Sequence, residues 1–172
     1  MMLGMSLETF TVVHVIISLI AILSGFVVVF GMLGGKPLNG LTGLFLTTTV
    51  LTSVTGFMFP FEKVTHGIIL GIISMVVLAI AIAARYAFHM TGGWRSVYAS
   101  LATGALYLNC FALVAQSFEK VPALHALAPT GSEPPFLVAE LVVLAGFVVL
   151  GTLATKRFRR AAPGAKAAAH AA

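Results

Sequence analysis

Residues 9–35, TFTVVHVIISLIAILSGFVVVFGMLGG, run for 27 positions between Glu8 and Lys36 without an acidic residue, a lysine or an arginine. At 1.5 Å rise per residue, about 20 such residues cross a hydrocarbon layer of about 30 Å. The same reading repeats along the chain. Lys36 to Glu62 encloses 25 uncharged positions, Lys63 to Arg85 encloses 21, and Arg95 to Glu119 encloses 23. Residues 134–155 form a fifth run, broken only by Glu140. Of the 172 residues, 59% are hydrophobic and 9% charged, at a mean hydropathy of +1.07. Water-soluble domains carry about 25% charged residues, so an ordinary soluble globule is excluded.

These runs predict an all-α integral membrane protein, a bundle of five transmembrane helices over about 11–33, 40–59, 66–88, 96–118 and 135–155. All seven prolines fall in connections, in the tail or at a first helical position, where they are tolerated. Uninterrupted apolar runs do not fit the alternating ten-residue strands of a membrane β-barrel. Ser132 before Glu133-Pro134-Pro135 reads as the start of the fifth helix. The 121–128 stretch of the preceding loop suits a short surface helix. The domain organisation is one unit, 1–160, followed by an alanine-rich basic tail, 161–172, expected to be flexible.

Lys and Arg in short loops set orientation. With Lys156-Arg157-Phe158-Arg159-Arg160 in the cytoplasm, Lys36, Arg85, Arg95 and Lys166 also fall inside, and only Lys63 and Lys120 fall outside. The expectation is N-terminus outside and C-terminus inside, in a bacterial inner membrane. The first run has no basic n-region and is too long for a cleaved signal peptide, so it is read as a retained span. The positive charge of +5 gathers at the ends of apolar runs, which points to headgroups of the lipid bilayer and away from nucleic acid. The single cysteine, Cys110, excludes an internal disulfide.

Small residues mark packing faces: His14, Ser18, Ala21 and Gly25 in the first span, and Ala102, Ala105, Asn109, Ala112 and Gln116 in the fourth. Gly67, Gly71 and Ser74 do the same in the third. Thr48, Thr52 and Thr55, beside Thr49, Ser53 and Gly56, give the second span hydroxyl-rich faces that suit either helix contacts or a hydrophilic path.

The predicted topology gathers polar groups in one outer layer. His14 lies about one turn below the surface, His66 opens the third span, and Gln116 and Met58 sit near the ends of theirs. Glu140 lies five residues past Pro135, about 8 Å along its helix. An ionisable group inside a span is costly and normally faces a partner or a cavity.

Three readings fit this layer. In one, His14 and His66 are axial ligands of haem b. In the second, His14, His66 and Glu140, with loop residue His125, hold a metal such as copper or zinc. In the third, Glu140 hydrogen-bonds Gln116, Asn109 or His14 in an intramembrane polar cluster. At the inner boundary Arg85, His89, Trp94 and Arg95, with Tyr86 and Tyr98, read as a cationic-aromatic belt against lipid phosphates.

No catalytic residues are assigned. The chain has no aspartate, no Gly-rich phosphate loop and no nucleophile elbow. The leading functional expectation is a non-catalytic accessory or assembly subunit that packs on a membrane partner, or on itself, through its small-residue faces. The alternatives are a haem-binding electron-transfer protein and a small transporter or channel with Glu140 in its path.

The run Lys36-Pro37-Leu38-Asn39-Gly40-Leu41-Thr42-Gly43, followed by His66-Gly67, resembles small uncharacterised bacterial multi-pass membrane proteins. In those a histidine follows the leucine, where this chain has Asn39. The resemblance covers about the first half of the chain and implies no activity.

Overall fold

The computed structural model describes Gly4, residues 6–60 and residues 66–161, with His66 described by its backbone alone. Among these residues the regular structure is helical. Helix α1 spans Leu7–Leu33, α2 Asn39–Phe57, α3 His66–Ile82, α4 Trp94–Lys120, α5 Pro122–His125 and α6 Pro134–Arg160. A π-helical turn, Ala83–Ala87, continues α3. Five helices are long and apolar enough to cross a membrane.

Local chemistry fixes most boundaries. Ser6 accepts a hydrogen bond from the Thr9 N–H at 3.2 Å, so α1 starts four residues before its expected position. Pro37 and Leu38 separate α1 from α2, and Gly35, at φ +71°, makes the turn that only glycine adopts readily. Pro122 occupies the first turn of α5. That helix is four residues long, shorter than the expected 121–128.

Ser132 does not start α6. Its neighbour Glu133 is the N-cap residue, and the Glu133 carboxylate turns back instead. It accepts from the Thr130 N–H at 3.0 Å, the Thr130 hydroxyl at 2.9 Å and the Ser132 N–H at 3.1 Å. Helix α6 also runs five residues beyond its expected end, through Lys156–Arg160, because basic side chains suit the negative end of a helix dipole.

Contacts between helix ends define an up-and-down arrangement. Phe10 near the start of α1 meets Phe59 just past α2, with centroids 5.1 Å apart. Asn39 at the start of α2 meets Arg85 at the end of α3. Arg95 at the start of α4 binds the Phe158 carbonyl near the end of α6, at 2.7 Å. Phe118 and Phe136 meet at the opposite end, 5.5 Å apart. One end of the bundle therefore carries Leu33, Asn39, Arg85, Trp94 and Arg160, and the other carries Leu7, Phe57, Lys120 and Pro134.

The core lies among α1, α2 and α4. Val29, Phe45, Ala102, Ala105 and Leu106 are completely buried there. Gly25 permits this closeness, since a Cβ on it would stand 2.7 Å from a methyl of Leu106 and 2.8 Å from the Phe45 ring. Helix α6 packs one stripe inward, Phe136, Glu140, Val143, Phe147, Ala154 and Phe158, at spacings of three, four and seven residues. Its other faces expose Leu137, Val138, Leu141, Val142, Val148 and Val149. Residues 162–172, including the expected flexible tail, lie outside the described residues.

Candidate functional site

Helix α2 is the polar hub of the bundle, and three neighbours are attached to it by side-chain contacts. Toward α1, His14 Nδ1 lies 2.7 Å from Thr55 Oγ1. Toward α3, Ser53 Oγ lies 3.3 Å from Ser74 Oγ. Toward α4, Asn109 Nδ2 donates to Thr49 Oγ1 at 3.3 Å. The hydroxyl-rich faces are thus spent on structure. Thr48 donates to the Leu44 carbonyl, Thr49 to Phe45, Thr52 to Thr48 and Thr55 to Leu51. Hydroxyls bonded back to their own helix cannot donate to a water file at the same time.

The Thr55 bond also assigns the His14 tautomer. A hydroxyl has one proton, and that of Thr55 goes to the Leu51 carbonyl at 2.6 Å. Nδ1 of His14 must then be the donor, and Nε2 carries the lone pair. The ring is half-buried and meets the Phe59 ring edge-on at 5.3 Å. Of the expected haem pair, His14 is therefore held in a ligand-competent tautomer, whereas the His66 side chain lies outside the described residues.

The expected outer-layer cluster does not assemble around Glu140. Asn109 bonds Thr49, Gln116 is exposed and reaches Glu119 at 3.5 Å, and His14 bonds Thr55. The reason is rotational: the inward stripe of α6 turns Glu140 toward α4, on the side of Tyr107 and Cys110. Both Glu140 carboxylate oxygens are buried without a hydrogen-bond partner, and the residue is 7% exposed. His125 is exposed in the α5 turn. Among the described residues no group of three or more His, Cys, Asp or Glu side chains gathers as a metal site.

At the other end of the bundle, the belt expected from sequence is largely turned inward. Arg85 is 6% exposed and Tyr98 1% exposed. Arg85 donates to Asn39 Oδ1 at 2.6 Å and points a second nitrogen at Met90 Sδ, 3.7 Å away. Its guanidinium lies 5.1 Å from the centroid of the Tyr98 ring and 5.6 Å from that of Tyr86. Arg95 also turns onto protein, its guanidinium 3.8 Å from the Phe158 ring centroid. His89 and Tyr86 remain exposed, and Trp94 stacks on Phe88 at 4.0 Å.

The π turn produces this burial. A wider turn, closed by the Phe88 N–H on the Ala83 carbonyl at 2.9 Å, brings both Ala84 and Arg85 to the inside. Sequence periodicity gave no sign of it. An arginine ending an apolar run is read by default as reaching for headgroups.

A shallow groove of about 520 Å³ runs between α4 and α6. Its floor combines Ser100, Thr103, Gly104 and Tyr107 with Gly151, Thr152 and Thr155. Cys110 is a free, buried thiol deeper in the same helix. No family model, curated protein or solved structure matches the chain.

Proposed function

We propose that this chain is a five-span integral protein of a bacterial inner membrane, with its N-terminus outside, acting as a non-catalytic accessory or assembly subunit of a larger membrane complex. The observation that carries this reading is the way its polar side chains are used. Thr49, Ser53, Thr55, Ser74, Asn109 and His14 hold helices to one another, so they are spent on assembly of the bundle. Small residues beside hydroxyls, as in the α4–α6 groove, let a neighbouring helix approach closely in lipid. The orientation rests on the basic end of α6, which shares one end of the bundle with Lys36, Arg85 and Arg95.

The test is a photo-crosslinking residue placed at Gly104 or Thr152, in the groove, and irradiated in native membranes. A protein adduct of discrete mass, with the chain migrating well above its 18.0 kDa after mild solubilisation, is expected. Lipid adducts alone on a monomer overturn the reading. For orientation, a cysteine introduced at Leu127 should react with an impermeant reagent from outside, and one at Arg160 should not.

The haem reading keeps one specific observation: Thr55 fixes His14 with its Nε2 lone pair available, an arrangement common to metal-bound histidines. A Soret band in purified protein that His14→Ala removes would replace the subunit reading. A colourless preparation without extractable haem removes the haem reading.

A further inference from the structure

We propose that the π turn at the end of α3 and the start of α2 form a binding site for an oxyanion of the phosphate class. Three features converge there. Arg85 is a buried cation whose hydrogen-bond partners, Asn39 Oδ1 and Met90 Sδ, are both neutral. Tyr98 places beside Arg85 and Thr42 a completely buried hydroxyl with no hydrogen-bond partner within 3.5 Å. Helix α2 begins at Asn39 without a side-chain cap, so its first N–H groups point out of the helix end. Beyond the π turn, His89 and Met90 both take left-handed backbone, at φ 48° and 53°, a conformation unfavourable for side-chain-bearing residues. That turn brings the Met90 sulfur to Arg85.

Among the described residues no glutamate lies at this end of the bundle. The chain's acids are five glutamates. Glu8 is in the first turn of α1, Glu119 in the last turn of α4, Glu133 caps α6, and Glu140 lies two turns into α6. All four belong to the opposite end of the bundle. Glu62 lies outside the described residues. A buried guanidinium without an anion is costly, and ring faces offset only part of that cost. An oxyanion supplies what is missing. It accepts from guanidinium N–H groups, from the Tyr98 O–H and from the open helix N-terminus, the donor set that recognises phosphoryl oxygens. Asn39 and Tyr86, which contact Arg85, are the members of this group that reach the surface.

Such an oxyanion comes either from a lipid headgroup or from a free phosphate compound, and the test separates them. Full-length protein in dodecyl maltoside, which contains no phosphate, is unfolded thermally in two titrations at constant ionic strength. One adds phosphatidylglycerol to the micelles, and the other adds inorganic phosphate against chloride. A saturable rise in Tm is expected, and the titration that produces it names the source. Arg85→Gln should flatten the rise, while Arg159→Gln, on the exposed end of α6, should keep it. Tyr98→Phe, which deletes one donor, should raise the half-saturating concentration about threefold or more.

If Arg85→Gln does not fold, Asn39→Asp serves in its place. It sets a carboxylate against the guanidinium and should abolish the response while the protein stays folded. A flat wild-type curve in both titrations overturns the proposal. So does an Arg85→Gln protein responding like wild type, or Tyr98→Phe and Asn39→Asp proteins that both do.

Discussion

Asn39 and Arg85, 46 positions apart in sequence, meet at 2.6 Å where α2 begins and α3 ends. This contact is the anchor of one end of the bundle, and its strength comes from the charge on the donor. Hydrogen bonds to charged groups contribute about 1.5–3 kcal/mol. Asn39→Ala should therefore lower stability by about that amount, read as a fall in unfolding temperature in detergent. Asn39→Asp should raise it, because a carboxylate compensates the buried cation. A drop in both variants would show that the amide geometry, and not the charge, is what matters.

Gly25 and Asn109 make opposite claims about what holds the helices together. A Cβ at Gly25 meets the fully buried Phe45 ring at 2.8 Å, so Gly25→Val forces α1 off α2 and α4. Overpacking of this kind costs about 1–3 kcal/mol. Asn109→Leu loses one interhelical hydrogen bond, which in bundles of this kind averages about 0.6 kcal/mol. Thermal unfolding of both variants should rank Gly25→Val as the more damaging.

Glu140 makes no hydrogen bond within the bundle, so replacing it sacrifices none. Glu140→Leu should unfold at the wild-type temperature or above it, since an unpartnered buried carboxyl is a cost the leucine removes. If a neighbouring subunit supplies its donor, the same variant should lose assembly in native membranes while the isolated protein stays stable. A Glu140→Leu protein that unfolds well below wild type would contradict the carboxyl's isolation.

The Glu133 carboxyl sits in the loop before α6. Desolvation pushes it up, but the hydrogen bonds from Thr130 N–H, Thr130 hydroxyl and Ser132 N–H together outweigh this and hold it below its ordinary 4.5. A depressed carboxyl stabilises the loop fully above its unfolded value, and that contribution is lost as pH falls through the folded one. Amide exchange at Thr130 and Ser132 should therefore accelerate, beyond the intrinsic rate change, as pH drops below 4.5. Glu133→Gln should remove that step.

Five long helices were legible in the charge-free runs, and the prolines marked their ends to within a few residues. Helical hydrogen bonding closes between residues four apart, so local composition is enough to announce it. The α1–α2 contact was legible in part, since His14, Gly25 and the α2 hydroxyls were already read as packing faces. The direction in which each single polar residue points was not. Helices apolar on nearly every side carry no stripe that tells inside from outside. Glu140 was thus expected among Gln116, Asn109 and His14, and Arg85 among headgroups.

The chain's own order of residues determined that it forms helices of membrane-crossing length and where they stop, because those properties depend on neighbours along the backbone. Tertiary packing alone decided that Arg85 is buried against Asn39 and Tyr98, that His14 donates to Thr55, and that Glu140 stands without a partner. Those outcomes depend on one π turn and on the rotation of each helix against the next, set by contacts between residues 13 or more positions apart.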